Sequence, residues 1–320
     1  MTESRFVLVV SHTRREDAIA AALEACGQLI SAGITPVMTA LELQELRTFS
    51  DSQEQNANSV SNPAAVAAQV LELGLHCALA QIELAMVLGG DGTILKAAEI
   101  VREFEIPLMG INLGHVGFLA ESERDGLIDA VQRIVERDYI VKERMALDVA
   151  VIGREVFHTW ALNEATIEKS ARERMLEVVV EVEEHPLSSF GCDGIVMATP
   201  TGSTAYAFSA GGPVVWPSVE ALLLVPLSAH ALFARPLVVK PEAMMAVEVL
   251  KRSSGYGVLW CDGRRTWELP PGARVEVRKS DKPVLLARLR QSTFTDRLVR
   301  KFSLPVAGWR GPDDNSANRG

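Results

Sequence analysis

Two glycine-rich segments carry the residues best suited to bind a small phosphorylated ligand. The first is "GGDGT" (Gly89–Thr93), which directly follows the apolar run "LAMVL", and the second is "TPTGSTAYAFSAGGP" (Thr199–Pro213). Glycines let a backbone come close to phosphate oxygens, and the amides at a helix start attract anions. We therefore expect both segments to face the same ligand.

Asp91 is the acidic residue of the first segment. A carboxylate with an ordinary pKa of about 3.9 is charged at neutral pH and can accept a hydrogen bond or a proton from a ligand hydroxyl. An isolated G-D-G is more often a turn or a helix cap, so both roles stay open at this point. The segment is neither a P-loop nor G-x-G-x-x-G. The first strand–helix turn, "VVSHTRRED", has no glycine, which argues against a dinucleotide dehydrogenase.

Two further segments combine a strand end with polar residues. In "GINLGHVGFLAE", Asn112 can form two hydrogen bonds, whereas His115 receives no role because a lone loop histidine is usually solvated. In "ALNEATIEKSARERM", Asn163 and Glu164 are adjacent. Adjacent residues on an extended strand point to opposite faces. Both can serve one ligand only if the strand bends or the backbone contributes.

The second glycine-rich segment follows the strand-like run "GIVMA". It contains the hydroxyl residues Thr199, Thr201, Ser203 and Thr204, and then Tyr206. Hydroxyls and glycine-freed amides can bind sugar hydroxyls, an adenine edge and a phosphate without positive charge. Its length favours a binding loop over a purely structural turn.

The elements around these segments predict two domains. In residues 1–141, the runs "RFVLVV", "ITPVMTA", "ELAMVL" and "IPLMGIN" read as strands separated by helices such as "EDAIAAALEACGQLISAG", "ILKAAEIVREF" and "GLIDAVQRIVERD". This alternation predicts a parallel, doubly wound, Rossmann-like α/β domain. The polar stretch "TFSDSQEQNANSVSNP" is predicted to be a mobile loop.

Residues 142–292 have a different sequence pattern, with few helix signals. Short strand-like runs divided by turn residues, among them "ALDVAVI", "EVFHTWALNEATI", "LEVVVEVEEH" and "ARVEVRKS", predict a mainly-β domain. The segment 293–310 contains the amphipathic "TFTDRLVRKF" and is expected to form a helix that can pack back on the α/β domain. Residues 311–320 are predicted to be a frayed tail.

Composition limits the classes of partner. The net charge of −9 argues against nucleic acid or an anionic membrane as the main partner. No stretch has the length of apolar sequence that a transmembrane helix needs, and the opening residues lack the pattern of a signal peptide. We therefore expect a cytoplasmic protein. Four widely spaced cysteines form no C-x-x-C pair, which favours reduced, packed thiols over a metal or disulfide framework.

Taken together and in this order, "GGDGT", "NLGHVGFLAE", the "NE" pair, "TPTGSTAYAFSAGGP" and "CDGRR" resemble the NAD kinase family. "GGDGT" alone is also similar to lipid kinases of the diacylglycerol kinase type, whereas the combination with "TPTGSTAY" is specific. The resemblance implies a fold of the NAD kinase/diacylglycerol kinase-like kind. It also implies transfer of the γ-phosphate of ATP, or of polyphosphate, to the 2′-hydroxyl of the adenosine ribose of NAD, giving NADP.

The same resemblance implies roles for individual residues. Asp91 matches the general base, the pair Asn163 and Glu164 matches the contacts to the adenosine ribose, and Asp193 matches a group near the nicotinamide end. Mg²⁺ would be held mainly by phosphates and water, without dedicated protein ligands. The full set of implied site residues is Gly90, Asp91, Gly92, Thr93, Lys96, Asn112, Asn163, Glu164, Arg174, Asp193, Thr201, Thr204, Ala205, Tyr206, Ala207, Phe208 and Ser209.

One position departs from the family pattern. Gly191 stands beside Cys192 where some members carry an arginine, so any choice between dinucleotides that the arginine gives is in doubt here. Two alternatives stay open: a lipid kinase of the diacylglycerol kinase type, and a non-catalytic dinucleotide sensor. The resemblance also suggests a homo-oligomer, either a dimer or a tetramer.

Overall fold

The chain divides into two compact units. In this computed structural model the described residues are 4–12, 15–54, 62–114, 117–120, 122–123, 126–153, 155–170, 175–289 and 293–306. One unit comprises Met1–Lys142 and Leu285–Gly320, and the other comprises Glu143–Val284. Each unit has its own hydrophobic core.

The first unit begins with alternating strands and helices. The central strands are buried along nearly their whole length, as expected where helices cover both faces of a parallel sheet. The elements are β1 (Arg5–Ser11), α1 (Glu16–Ser31), β2 (Ile34–Met38), α2 (Ala40–Glu54), α3 (Pro63–Ala67), β3 (Leu71–Glu72), β4 (Ile82–Leu88), α4 (Asp91–Val101), β5 (Leu108–Asn112), β6 (Ser122–Glu123), α5 (Leu127–Glu136) and β7 (Ile140–Arg144).

The strand order of this sheet reverses between β1 and β4. The order runs β3-β2-β1-β4-β5, and these neighbours pair in parallel. The strands β2 and β3 follow β1 on one side of the sheet. The next strands in the chain, β4 and β5, lie on the other side of β1. Ligands of open α/β sheets bind outside the carboxyl ends of the strands at such a reversal point. Gly89 follows β4 directly, so the first glycine-rich segment lies at this point.

The stretch "TFSDSQEQNANSVSNP" is helical over its first part, so the prediction of a mobile loop is wrong there. Helix α2 continues through 48–54, while residues 55–61 lie outside the described part. Leu43, Leu46 and Ser50 recur at helical spacing and are buried. The hydroxyl of Thr48 donates to the Gln44 carbonyl at 3.0 Å and that of Ser50 to the Arg47 carbonyl at 2.8 Å. Hydroxyl groups bonded back to the preceding turn can remain inside a helix.

The second unit is built from antiparallel strands. Its elements are β8 (Leu147–Ile152), β9 (Val156–Ala161), β10 (Glu164–Lys169), β11 (Leu176–Val182), β12 (His185–Cys192), β13 (Gly194–Ala198), α6 (Tyr206–Ser209), β14 (Leu222–Leu227), β15 (Leu237–Val239), β16 (Met245–Val249), β17 (Gly257–Cys261), β18 (Arg265–Leu269) and β19 (Arg274–Lys279). The predicted run "EVFHTWALNEATI" is thus two strands, and the apolar strand β14 is an addition to the sequence prediction.

Two six-stranded sheets form this unit. One has the order β15-β14-β13-β10-β17-β18, and the other has the order β12-β11-β16-β19-β8-β9. A single hydrophobic cluster takes side chains from both, for example Ile167 and Leu259 from the first sheet and Val178 and Val247 from the second. Two antiparallel sheets with a shared core are typical of a mainly-β domain.

The chain then returns to the first unit. Strand β20 (Val284–Arg288) pairs in parallel with β5 and lies between β5 and β7. It is followed by α7 (Phe294–Phe302). The sequence predicts this return at residue 293. The division falls at Val284 and Leu285 instead, because β20 joins the parallel sheet rather than the antiparallel ones.

Candidate active site

The "GGDGT" segment forms a tight strand-to-helix turn at the reversal point of the sheet. The Gly89 amide donates to the Ile111 carbonyl of β5 at 2.9 Å, and the amide of Thr93 donates to the Gly90 carbonyl at 2.9 Å. A Cβ on Gly89 would lie 2.5 Å from the Thr93 hydroxyl oxygen, so only glycine fits there. Around Gly90 and Gly92, in contrast, an added Cβ would meet no described atom within 4 Å beyond the adjacent residues and the backbone of α4 itself. The turn therefore leaves open space beside its backbone.

The carboxylate of Asp91 is held in one orientation by backbone amides. The Phe118 amide donates to Oδ2 and the Leu119 amide to Oδ1, each at 3.1 Å. Gly117 packs against the same carboxylate, since a Cβ there would lie 2.4 Å from Oδ1. Asp91 is also the first residue of α4, where the helix dipole favours negative charge. A fixed, half-buried carboxylate thus stands at the edge where a ligand is expected.

Lys96 lies on α4 and pairs with Glu42, a residue outside the predicted site. Its ammonium is 2.8 Å from Glu42 Oε1, and the Glu42 side chain is fully buried. Glu42 also accepts hydrogen bonds from the Thr39 hydroxyl at 2.6 Å and from the Ser11 amide at 3.3 Å. A glutamate within an amphipathic helix pattern gives no sequence signal for such a role. Glu42 therefore fixes Lys96 near the end of β1.

Asn112 ends β5 and turns its side chain onto its own loop. Its Oδ1 accepts the Gly114 amide at 3.2 Å, and its Nδ2 is 3.5 Å from the Gly114 carbonyl. The side chain is buried. In this structure the amide group shapes the loop after β5. His115, to which the sequence assigns no role, lies outside the described residues.

The Asn163–Glu164 pair lies where the chain bends between β9 and β10. The bend is held by Asp262, whose Oδ2 accepts the Leu162 amide at 2.9 Å and whose Oδ1 accepts the Asn163 amide at 2.7 Å. Arg265 braces the same carboxylate at 3.1 Å. The bend removes the strict alternation of an extended strand, which was the obstacle to both residues serving one ligand. Asp262, in the "CDGRR" motif, carries a structural role that the sequence alone did not reveal.

The carboxyl group of Glu164 is buried with one oxygen unsatisfied. Burial and the nearby Asp262 carboxylate raise the pKa of Glu164 to about 8, and the Tyr206 backbone amide, which donates to the carboxyl group, opposes this rise. Oε2 has no hydrogen-bond partner in the described structure. A buried polar atom without a partner is costly. The site therefore offers a hydrogen-bonding position that a ligand hydroxyl can fill.

Several hydroxyl groups of the long glycine-rich loop bond within the protein. Thr199 donates to the Leu162 carbonyl at 2.6 Å, and Ser203 donates to the Pro200 carbonyl at 2.7 Å. Both are fully buried. A Cβ on Gly202 would lie 2.0 Å from the Asn163 carbonyl oxygen. The start of the loop thus supports the Asn163 backbone.

The residues after Thr204 are more accessible than the start of the loop. Thr201 is still buried, and its carbonyl accepts the Thr204 hydroxyl at 3.3 Å. Ala205 precedes the short helix α6, whose Ala207 packs on β13 and β14 while Phe208 and Ser209 are exposed. The Tyr206 hydroxyl donates to Glu168 at 2.6 Å, and this bond raises the pKa of Tyr206 to about 12. The structure brings Asn163, Glu164 and Tyr206 together.

Asp193 lies between β12 and β13 in an ion pair with Lys169. The hydrogen bond from Lys169, together with one from Ser228, lowers the pKa of Asp193 despite the opposing effect of desolvation. This carboxylate is therefore ionised at neutral pH. Arg174 lies outside the described residues. Some family members have arginine at the position of Gly191. A Cβ added to Gly191 would lie 3.2 Å from the terminal Cε of Met175.

The described chain offers no ready metal centre. No group of three or more His, Cys, Asp or Glu side chains among the described residues is arranged to hold a metal ion. Within the same residues, no helix combines the length and apolar character needed to cross a membrane. All four cysteines are free and buried.

These features define a class before they define a family. A glycine turn that leads into a helix at the reversal point of a doubly wound sheet is typical of proteins that bind phosphorylated ligands. Two family profiles match the chain, the ATP-NAD kinase N-terminal domain over residues 7–139 and the ATP-NAD kinase C-terminal domain over residues 162–289. The chain belongs to the NAD kinase family, which confirms the resemblance noted in the sequence.

Bacterial relatives extend the match over nearly the whole chain. The NAD kinase of Leifsonia xyli subsp. xyli is 58% identical over 315 residues, covering 98% of this chain and 99% of its own length. The NAD kinase of Thermobifida fusca is 57% identical over 316 residues, covering 97% of this chain and 93% of its own. The implied enzyme class, a phosphotransferase, is therefore confirmed.

Solved structures share the fold. Yeast NADH kinase, crystallised with NADH, superposes with a TM-score of 0.79 at 21% identity, covering all of this chain and 90% of the yeast chain. An NAD kinase from Archaeoglobus fulgidus, crystallised with ATP, gives a TM-score of 0.66 at 23% identity, covering 94% of this chain and all of the archaeal chain. The predicted fold class, an α/β domain followed by a mainly-β domain, is confirmed.

Proposed function

We propose that this enzyme, an NAD kinase that forms NADP from NAD, transfers the γ-phosphoryl group of ATP to the 2′-hydroxyl of the adenosine ribose with Asp91 as general base. The observation that carries the proposal is the fixed carboxylate at the reversal point of the sheet. Its amide contacts occupy two of the roughly four acceptor positions of a carboxylate. The remaining positions are available to a ligand hydroxyl.

The proposed step balances as a simple displacement. The 2′-oxygen forms a bond to the γ-phosphorus, the bond from that phosphorus to the bridging oxygen of ADP breaks, and the hydroxyl proton passes to Asp91. Phosphoryl transfer proceeds through a loose transition state, so positioning and neutralisation of charge matter more than strong basicity. A carboxylate held by two amides is suited to positioning, because it orients the hydroxyl without having to reorganise.

We further propose that Mg²⁺ enters with the phosphate donor. Mg²⁺ prefers phosphate oxygens and retained water to a full set of protein ligands, and the described residues provide no three-residue cluster. The ion would neutralise charge on the donor. The open space beside Gly90 and Gly92 leaves room for phosphate groups next to the start of α4, where the dipole favours anions.

The second unit is proposed to hold NAD. Asn163 and Glu164 would bind the adenosine ribose, and the unsatisfied Oε2 of Glu164 supports this assignment. Thr201 and the residues Thr204–Ser209 would surround the dinucleotide. Lys96 and Arg174 stay predicted substrate contacts, and Asp193 stays a predicted neighbour of the nicotinamide end.

The assay that tests the base is NADP formation by the purified enzyme with NAD and Mg²⁺. The variant is Asp91→Asn, with Asp51→Asn on the exposed surface of α2 as the matched control. Removal of a positioned base lowers turnover by a factor on the order of 10² or more, while NAD binding measured by calorimetry should persist. Turnover near that of the wild type in a folded Asp91→Asn variant would contradict the base role. Running ATP and polyphosphate in parallel identifies the donor.

The alternatives from the sequence analysis are not supported. Close relatives over nearly the full length are NAD kinases rather than lipid kinases, and the carboxylate whose loss would favour a non-catalytic sensor is present and fixed. The cytoplasmic location and the absence of nucleic-acid and membrane partners stay predictions.

We also propose a homo-oligomer, either a dimer or a tetramer. In the second unit, Leu232 is fully exposed, at 111%, and the adjacent Phe233 is 58% exposed. Large apolar side chains exposed side by side are common at interaction surfaces. Light scattering of the purified protein tests the assignment, and a monomer at assay concentration would contradict it.

A further inference from the structure

We propose that Arg297, on the last helix of the chain, is a positioning residue for Asp91, acting through the loop that holds the Asp91 carboxylate. The inference rests on the proposed role of Asp91 as general base. It gives α7 a function in the reaction, although the helix lies roughly 200 residues beyond the glycine turn and carries none of the residues implied by the family resemblance.

The geometry forms a continuous chain of contacts. Nη1 of Arg297 donates to the Phe118 carbonyl at 2.9 Å. The amide of the same residue, Phe118, donates to Oδ2 of Asp91, and the next amide, that of Leu119, donates to Oδ1. Arg297 therefore holds one side of a peptide segment whose other side holds the carboxylate. Arg297 and Phe118 are 7% and 8% exposed, so water competes little for these bonds.

Aromatic packing fixes the same loop to the same helix. The Phe118 ring lies 6.0 Å from the ring of Phe294 and 5.8 Å from that of Phe302, centroid to centroid, and both contacts are tilted. Such separations are within the range of favourable aromatic pairs. Because Phe294 and Phe302 are the two ends of α7, the Phe118 ring and its carbonyl are held by one helix at three points.

Electrostatics link Arg297 to the carboxylate as well. Burial lowers the pKa of Arg297, and the negative charge of Asp91 opposes that shift. A buried guanidinium is expensive to desolvate, and a purely structural helix contact could be made by an apolar side chain. The guanidinium instead adds a positive charge near the carboxylate that the Phe118 and Leu119 amides hold.

The start of α7 is independently secured, and this provides a control. The Thr293 hydroxyl accepts the Asp296 amide at 3.1 Å, and Asp296 accepts the Thr293 amide at 3.0 Å, which forms a capping box. Thr293→Ala should therefore weaken the helix without removing the guanidinium. Arg300, exposed on the same helix, provides a matched arginine for substitution.

The experiment compares full-length variants by steady-state NADP formation and thermal melting. Arg297→Met removes charge and donors at similar volume, and we expect kcat to fall at least about tenfold with KM for NAD nearly unchanged, since only transition-state contacts are lost. Arg297→Lys retains the charge and should give an intermediate kcat. Arg300→Met should behave as wild type. Thr293→Ala should lower the melting temperature but leave kcat within about twofold of wild type.

The double variant Asp91→Asn/Arg297→Met separates positioning from a general structural effect. If Arg297 acts through Asp91, its substitution adds little to the loss already caused by Asp91→Asn. Additive losses would overturn the inference, as would an Arg297→Met variant with wild-type kcat. If Arg297→Met does not fold, the comparison passes to Arg297→Lys against Thr293→Ala, and equal kcat in those two would overturn it.

The single variants distinguish the two proposals. A folded Asp91→Asn variant with wild-type turnover defeats the base role and, with it, the inference. An inactive Asp91→Asn variant beside a fully active Arg297→Met variant defeats the inference alone.

Discussion

Gly117→Ala is the sharpest test of how closely the chain fits around Asp91. An added Cβ would lie 2.4 Å from Oδ1, 3.0 Å from Cγ and 3.2 Å from Oδ2 of the carboxylate. The carboxylate cannot swing away freely, because the Phe118 and Leu119 amides each hold one of its oxygens at 3.1 Å. One methyl group must therefore displace either the carboxylate or the loop that binds it.

The magnitude follows from that distance. Nonbonded heavy atoms in ordinary contact lie roughly 3.5 Å apart, so the methyl group requires a displacement on the order of 1 Å. A misplacement of about 1 Å in a reacting group costs about 10²-fold in rate. We expect kcat to fall by this factor while KM for NAD changes by less than about threefold, because the proposed ribose contacts lie elsewhere in the chain. Overpacking should also lower stability by about 1–3 kcal/mol.

The assay is steady-state NADP formation at saturating ATP and Mg²⁺, with thermal melting to verify folding. Gly27→Ala provides the matched control, because a Cβ there meets Val66 at an ordinary 3.7 Å inside α1. A helix-interior glycine replaced by alanine stabilises by about 0.5–1 kcal/mol. The control should therefore melt at the wild-type temperature or above and keep its kcat.

Two outcomes would refute the reasoning. If Gly117→Ala retains both the kcat and the melting temperature of the wild type, the loop has room to adjust and the carboxylate is not fixed by close packing. If kcat is lost only to the extent that the variant is unfolded at the assay temperature, the glycine serves stability rather than the geometry of Asp91.

Two further predictions concern the second unit. Asn163→Ala should raise KM for NAD with little change in kcat in the NADP assay, and an effect confined to KM for ATP would assign Asn163 to the donor. Glu164 has a folded-state pKa raised from 4.5 to about 8, so the folded state holds this proton to higher pH than the unfolded state. Its contribution to stability is complete below 4.5 and is lost as the pH rises through about 8. As the pH rises from 4.5 to about 8, the melting temperature of the wild type should fall relative to that of Glu164→Gln. Parallel plots of melting temperature against pH for the two proteins would contradict the raised pKa of Glu164.

The sequence predicts the first unit well because buried parallel strands are continuous apolar runs. β1, β4 and β5 follow this pattern, and each is bounded by turn or helix signals. β14 is equally apolar but contains Pro226, and a proline within a run argues against an interior strand. In the structure β15 pairs with β14 only over Leu222–Leu224, so Pro226 lies beyond that ladder, while on its other side it lies opposite Ile195 of β13. Pro226 is therefore near the end of β14 and not at its centre.

The candidate site is less predictable because residue types do not reveal where side chains point. Thr199 and Ser203 belong to a hydroxyl-rich loop, yet both bond inward to backbone carbonyls. Glu42 and Arg297 belong to ordinary amphipathic helix patterns, and only long-range contacts give them their roles. The motifs indicate the segments, whereas the supporting residues come from parts of the sequence without any motif.

Each unit contains an aspartate that holds a loop through two backbone amides, but the two aspartates have different roles. Asp91 and Asp262 each accept two consecutive backbone amides of a distant loop, one on each carboxylate oxygen. Asp262 is also bonded to Arg265, and its side chain is only 2% exposed. Its acceptor positions are therefore largely used in bracing the bend at Asn163.

Asp91 differs in what it has left to offer. It is only half buried, and the amides of Phe118 and Leu119 leave acceptor capacity on both oxygens. A carboxylate that is fully bonded inside the protein can only hold its loop, whereas one that is fixed but not saturated can also receive a hydroxyl proton. Residual hydrogen-bonding capacity, more than the presence of an aspartate after two glycines, is thus the physical reason to assign the base to Asp91.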